Sequence, residues 1–202
     1  LLVVVIVAGA AGISSGIGVM KGIIDSAPDI SKIDVTPTGY STTVLAANGE
    51  ETATLVGQGA NRQYVTIDEI PLDLQHAFVA IEDERFYDHN GIDLHGIGRA
   101  FISGLSKGRF NEGASTITQQ LIKNNVLTSW TSETSFVEKL QRKSQEQYLA
   151  LELEKQVNDK DWILENYMNS VNLGANTLGV QAASKKYFNK DVSELTLSEA
   201  SV

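Results

Sequence analysis

No charged side chain precedes Lys21: the chain opens Leu-Leu-Val-Val-Val-Ile-Val-Ala-Gly-Ala-Ala-Gly and reaches Met20 without one. An apolar run of about twenty residues is what a helix needs to cross a bilayer, where each backbone N–H and C=O must be satisfied inside the segment. Residues 1–24 are therefore read as a transmembrane anchor. A secretory leader competes with that reading, because Ala8 to Gly12 resemble a cleavage site, but a leader has a shorter apolar core. The sequence opens at Leu, and the flank whose Lys and Arg content would set orientation is missing, so the anchor is expected to be truncated at its N-terminal side.

Roughly 180 residues follow, enough for one well-buried domain. A net charge of -9 argues against a nucleic-acid partner, since neutralising phosphates takes a basic face. With no cysteine there is no disulfide framework, no thiolate metal site and no thiol nucleophile. Residues 25–69 read as an extended linker: Thr42 to Ala46 and Glu51 to Val56 are Thr- and Val-rich, and Asn48-Gly49 between them predicts a β-hairpin. After Pro71 the pattern becomes helical. Thr116 before Gln119 and Thr196 before Glu199 have capping-box spacing, while Gly91 and Gly174 sit where helices are expected to stop. A helix over 136–154 is predicted to bury a stripe of Val137, Leu140, Tyr148 and Leu151. No repeat or low-complexity tract divides 70–202, so this stretch reads as one mainly α domain that breaks off within a helix at Val202.

Three segments carry candidate chemistry. On a helix over 74–88, Phe78, Glu82 and Phe86 recur every four residues, placing Glu82 between two rings where burial would disfavour its charge; Asp83 lies a quarter turn away. The plain alternative is a solvated surface acid. His89 and His95, beside Asp88 and Asp93, do not have zinc spacing, and Gly91 interrupts them, so no metal site is expected. A hydrogen-bonded structural imidazole at a helix C-terminus is the reading for His89. In the second segment, Thr116, Gln119, Gln120 and Lys123 would line one side of a helix start whose free N–H groups suit an anion such as phosphate. In the third, Arg142 and Lys143 share a helix face with Glu146, a second carboxylate held by two cations.

Glu82-Asp83-x-x-Phe86-x-x-His89-x-Gly91, Gly113-x-Ser115-Thr116-Ile117-Thr118-Gln119-Gln120, Arg142-Lys143-x-x-Glu146 and Ile163-Leu164-Glu165-x-Tyr167-x-Asn169 stand in this order. Together they closely resemble the motifs of the family-51 peptidoglycan glycosyltransferases, the polymerising domain of class A penicillin-binding proteins. The resemblance spans roughly 65–202, continuing through Gly174, Gly179, Tyr187-Phe188 and Leu195 to Ala200. It implies a lysozyme-like helical domain tethered by a single span to the outer face of the cell membrane. It also implies polymerisation of lipid II onto a growing glycan strand, with inversion at the anomeric carbon, a new β-1,4 bond and release of undecaprenyl pyrophosphate. By matching position, Glu82 and Glu146 are the catalytic carboxylates, Glu82 as general base. Ser115, Thr116, Gln119, Lys123, Arg142 and Lys143 are the substrate-binding residues.

No cofactor is required by these motifs, although they are compatible with a divalent ion near pyrophosphate. Lipid II, the glycan strand and the bilayer are the implied partners, and a cell-wall synthesis complex is compatible. One departure is that the chain is longer than common members between Lys123 and Arg142, and Thr134 follows Glu133 where many carry Arg; Lys139 or Arg142 would then supply the cation. Ile97, Phe101, Leu105 and Phe110 are candidates for bilayer contact. Two rival readings are a lysozyme-like glycosidase or lytic transglycosylase and an inactive wall-binding scaffold. A transpeptidase domain is expected beyond Val202.

Overall fold

The structure is a computed structural model that describes residues 16–32, 34–55, 61–107, 113–128, 133–175 and 177–202. It is mainly helical, and the described residues contain one two-stranded sheet. A helical stretch, α1 (16–25), opens it. Most of the expected anchor, 1–15, lies outside the described residues, and among those described no helix is long and apolar enough to cross a membrane.

The predicted hairpin forms from β1 (Thr42–Leu45) and β2 (Glu51–Leu55), antiparallel, with Thr42 opposite Leu55 and Val44 opposite Ala53. Gly49 makes the reversal at φ +85°, donating its N–H to Ala46 O at 2.9 Å. The chain on either side of the hairpin is more than a linker. Ile30, Val35, Val65 and Ile70 are buried in the core. Asn125 Nδ2 donates to Val35 O at 3.1 Å, and Gln145 Nε2 donates to Ser26 Oγ at 3.1 Å.

Among the described residues seven further α-helices follow: α2 (Leu72–Glu82), α3 (Leu94–Lys107), α4 (Ile117–Asn125), α5 (Phe136–Val157), α6 (Lys160–Ser170), α7 (Val180–Phe188) and α8 (Leu197–Ala200). Central α4 packs against α5 and α6, burying Ile117, Leu121 and Ile122 completely. Capping fixes several starts. Ser135 and Glu138 form a capping box on α5, Thr196 and Glu199 form the expected one on α8, and Asp159 accepts the Trp162 N–H on α6. Thr116 caps α4 by accepting the Gln119 N–H, but the Gln119 side chain turns to Gly91 O and leaves the box open.

Two helix expectations are corrected. Helix α2 stops at Glu82 rather than continuing to 88, because Asp83 finds better partners outside a helix than within one. Phe86 consequently swings into the core at 0 % exposure while Glu82 stays exposed, so the two do not share a helix face. Gly91 and Gly174 serve turns beyond the helix ends. At Gly91, φ is +86° and a Cβ would lie 2.7 Å from Ala150 O, so only glycine lets this loop approach α5.

The predicted stripe on α5 is the second correction. Val137, Leu140 and Leu151 are exposed and Tyr148 is half-buried. The buried face carries Gln145, Glu146, Leu149, Ala150, Leu153 and Glu154, because opposite the start of α4 the helix meets polar partners instead of apolar ones.

Candidate functional site

Asp83 ties the site together. Its buried carboxylate accepts the Ile117 N–H at the start of α4 (3.0 Å) and His89 Nε2 at 2.9 and 3.0 Å. Since Gly91 N–H donates to His89 Nδ1 (3.2 Å), the ring proton of the neutral imidazole belongs on Nε2. His89 is thus hydrogen-bonded through both ring nitrogens as its sequence context suggested, but it lies in loop 83–91 and not at a helix C-terminus. From the other side, Thr116 Oγ1 and Gln119 Nε2 both donate to Gly91 O, at 2.7 and 3.2 Å. Loop 83–91 and the first turn of α4 therefore form one hydrogen-bonded unit. Behind it, Lys160 donates to His89 O and Glu154, each at 2.7 Å, and stands 4.5 Å from the Phe86 ring centre.

This framework holds Glu82 at the exposed end of α2. Gln120 Nε2 donates to Glu82 Oε2 at 2.8 Å, and the Tyr167 hydroxyl donates to Gln120 Oε1 at 3.2 Å. Glu82 borders two cavities. A polar one of about 260 Å³ is lined also by Arg85, Asp93, Arg99, Ser115 and Thr116. An apolar groove of about 510 Å³ runs past Phe78, Ile81, Leu173, Val180 and Tyr187. Within the polar cavity, Arg85 donates to both oxygens of Asp93 (3.3 and 2.5 Å) and holds that carboxyl down at about 2.

Ser115 connects the cavity to a charge cluster. Lys143 Nζ donates to Ser115 Oγ at 2.6 Å and to Glu146 Oε2 at 2.8 Å. Arg142 Nη1 donates to the other Glu146 oxygen, and Arg142 Nε donates to both oxygens of Glu133 at 2.8 and 2.9 Å. The Glu146 side chain is 1 % exposed against 39 % for Lys143. The expected triplet therefore exists, and Arg142, rather than the exposed Lys139, is the cation paired with Glu133.

The candidate residues are thus gathered unequally. Glu82, Ser115 and Thr116 line one cavity, and Lys143, Arg142 and Glu146 follow from Ser115. Thr116 and Gln119, expected on an anion-binding face, are each 1 % exposed and committed to Gly91 O. The N–H of Ile117, expected to be free for an anion, already holds the protein's own carboxylate, Asp83. Lys123 is half-buried further along α4 and lines neither cavity. On α3, Phe101 is exposed with Leu94 and Ile102, and Ile97 is half-buried; the Leu105 side chain and Phe110 lie outside the description.

Sequence reasoning passed over Tyr167 as a member of this site and took Gln120 as part of an anion face. Both were visible as motif members, but their pairing joins residues 47 apart in the chain. The last motif has a structural use as well. Asn169 accepts the Val65 N–H at 3.0 Å and donates to Val65 O at 2.8 Å, and Glu165 accepts the Ile67 N–H at 2.6 Å, so α6 holds the strap leading into α2.

The transglycosylase family model matches residues 48–202. The chain is 44 % identical over 162 residues to penicillin-binding protein 1F of Bacillus subtilis, covering 80 % of this chain and 21 % of that protein. It is 41 % identical over 195 residues to penicillin-binding protein 1A of Clostridium botulinum, covering 94 % and 22 %. Against penicillin-binding protein 1A of Clostridium perfringens it is 50 % identical over 143 residues, covering 68 % and 20 %. The chain thus spans about a fifth of the length of these relatives. With a family match across more than half of its residues, on a helical domain that gathers the ordered motifs around Glu82, the chain belongs to the transglycosylase family.

Proposed function

We propose that this chain is the polymerising part of a peptidoglycan glycosyltransferase, a lysozyme-like domain anchored by a single span with its site on the outer face of the cell membrane. In this reading Glu82 takes the proton from the 4-hydroxyl of an incoming lipid II as that oxygen attacks the anomeric carbon of the lipid-linked strand. The bond to undecaprenyl pyrophosphate breaks, the carbon inverts, and a β-1,4 linkage results. No cofactor enters the proposed reaction. Ser115, Lys143 and Arg142 are assigned to the leaving pyrophosphate, while Thr116 and Gln119 support loop 83–91 from behind.

The observation that carries this reading is the joint placement of an exposed carboxylate, Glu82, and the Lys143-bonded Ser115 on one polar cavity. General-base catalysis is typically worth about 10² to 10⁴ in rate. Glu82→Gln in the full-length protein is therefore expected to lower lipid II polymerisation by about that factor, read as glycan strands on a gel. A variant that still makes strands at the wild-type rate would overturn the assignment, and cleavage of preformed strands by the wild type would favour a glycosidase.

The exposed Leu94, Phe101 and Ile102 of α3 support bilayer contact by this helix, in line with a lipid-linked substrate. Changing Phe101 and Ile102 together to Ser should weaken liposome binding of a variant lacking residues 1–24, and unchanged binding would reject that contact.

A further inference from the structure

The two ends of Gln120 face chemically different partners. Its Nε2 meets the Glu82 carboxylate and its Oε1 meets the Tyr167 hydroxyl. A flipped amide would set its oxygen against a carboxylate oxygen, so this arrangement is the satisfied one. Tyr167 is 1 % exposed and packs edge-on against Phe78, with ring centres 6.0 Å apart. Burial, together with the charge on Glu82, pushes the Tyr167 phenol well above its ordinary value, so it keeps its proton and remains a donor at neutral pH. Glu82, by contrast, is an exposed side chain on the last turn of α2, with rotamer freedom that a catalytic carboxylate must lose. The donor that restrains it comes from α4, whose first turn is fixed to loop 83–91 through Asp83 and Gly91.

We propose that Gln120 is a positioning residue for Glu82 and that Tyr167 positions Gln120, so that the carboxylate is aimed at the acceptor hydroxyl before substrate arrives. This rests on the reading of Glu82 as the base. The neutrality of the amide matters. A lysine in its place would neutralise the carboxylate it oriented, whereas a glutamine restrains it with one hydrogen bond and leaves its charge available for the proton. The alternative role for Gln120 is direct contact with substrate, in which case Tyr167 would matter little and loss of the amide would act on binding.

The test uses initial rates of lipid II polymerisation by the full-length protein in detergent, comparing the wild type with Glu82→Gln, Gln120→Met, Tyr167→Phe and the Gln120→Met/Tyr167→Phe pair. Methionine keeps the length of glutamine without its donors, and Tyr167→Phe removes one buried hydroxyl and leaves the ring in place. Misaligning a catalytic group by about 1 Å can cost on the order of 100-fold. Gln120→Met is therefore expected to lower kcat by about 10- to 100-fold with KM within about two-fold, and Tyr167→Phe to lower kcat by a smaller factor. Because Tyr167 acts through Gln120, the pair should be no slower than Gln120→Met alone. A raised KM with kcat retained, or a Tyr167→Phe loss that persists in full on the Gln120→Met background, would overturn the relay. If the wild type turns over and Glu82→Gln does not, while Gln120→Met matches the wild type, the positioning role fails and the polymerase reading stands. A wild type that makes no strands overturns both.

Discussion

Replacing Asp83 by Asn tests whether this residue, rather than the apolar core alone, fixes the loop that presents Glu82. Asn keeps the shape but has one acceptor oxygen where Asp83 uses its carboxylate for two donors, Ile117 N–H and His89 Nε2. If the new oxygen serves Ile117, the amide NH2 meets the Nε2 proton of His89, and moving that proton to Nδ1 sacrifices the bond from Gly91 N–H. One hydrogen bond to a charged group is worth about 1.5–3 kcal/mol, and a carboxylate at a helix N-terminus adds about 0.3–1 kcal/mol. The side chain is only 3 % exposed, so water does little to replace what is lost. The expected local destabilisation is about 2–3 kcal/mol, the upper part of the sum being tempered by the bond that Asn retains. Hydrogen exchange of the full-length protein isolates this effect, because the amides of 113–122 and 84–91 report the two sides of the contact. At about 1.4 kcal/mol per factor of ten, their exchange should accelerate by about 30- to 150-fold wherever it proceeds by local opening. Unchanged protection of the Ile117 amide in Asp83→Asn would refute the reasoning.

Two further perturbations read other parts of the site. Asp93, held at about 2 by Arg85 against an ordinary value of 3.8, contributes stability that is present above about pH 3.8 and is lost as the pH falls through about 2. Solvent around the partly exposed Arg85 reduces this to about 1 kcal/mol, so Asp93→Asn should flatten the acid-unfolding curve between those limits by that amount, and a curve of unchanged slope would refute it. Glu146→Gln removes the buried partner of Arg142 and Lys143 and should destabilise the domain by about 3 kcal/mol while raising KM for lipid II; full stability and an unchanged KM would contradict the role given to this ion cluster.

Local features were legible wherever the determining interaction lies within a few residues. The Asn48-Gly49 hairpin, the Thr196 cap and the Arg142–Lys143–Glu146 triplet are of this kind, and each has the form that its spacing implied. The end of α2 was not legible, because it depends on Asp83 meeting Ile117, 34 residues away, and a helical repeat of Phe78, Glu82 and Phe86 contains no sign of that. The same limit explains the reversed faces of α5. Its apolar residues near the start are exposed, while Glu146 and Glu154 are drawn inward by cations and by Thr118, which helical periodicity counts as misplaced charge. Gln119 lies on the expected turn of α4, but the partner of its amide NH2 is Gly91 O, 28 residues away, which no local spacing signals.

Burial separates the roles of the two carboxylates. A general base must come within about 2.6–3.2 Å of the proton it removes. To do so, Glu146 would have to give up Arg142 or Lys143 and become a poorly compensated buried charge, at about 3–5 kcal/mol. Glu82 faces no such penalty, being exposed, restrained by a neutral amide and set on the cavity itself. In the proposed reaction, proton transfer would therefore fall to Glu82, and Glu146 would act through the cations it fixes. In that cluster the charges of Arg142 and Lys143 balance those of Glu133 and Glu146, which leaves its geometry defined before substrate binds. In the proposed reaction Lys143, the most exposed of these charges, together with the Ser115 hydroxyl it touches, would meet the developing charge on the pyrophosphate with little reorganisation.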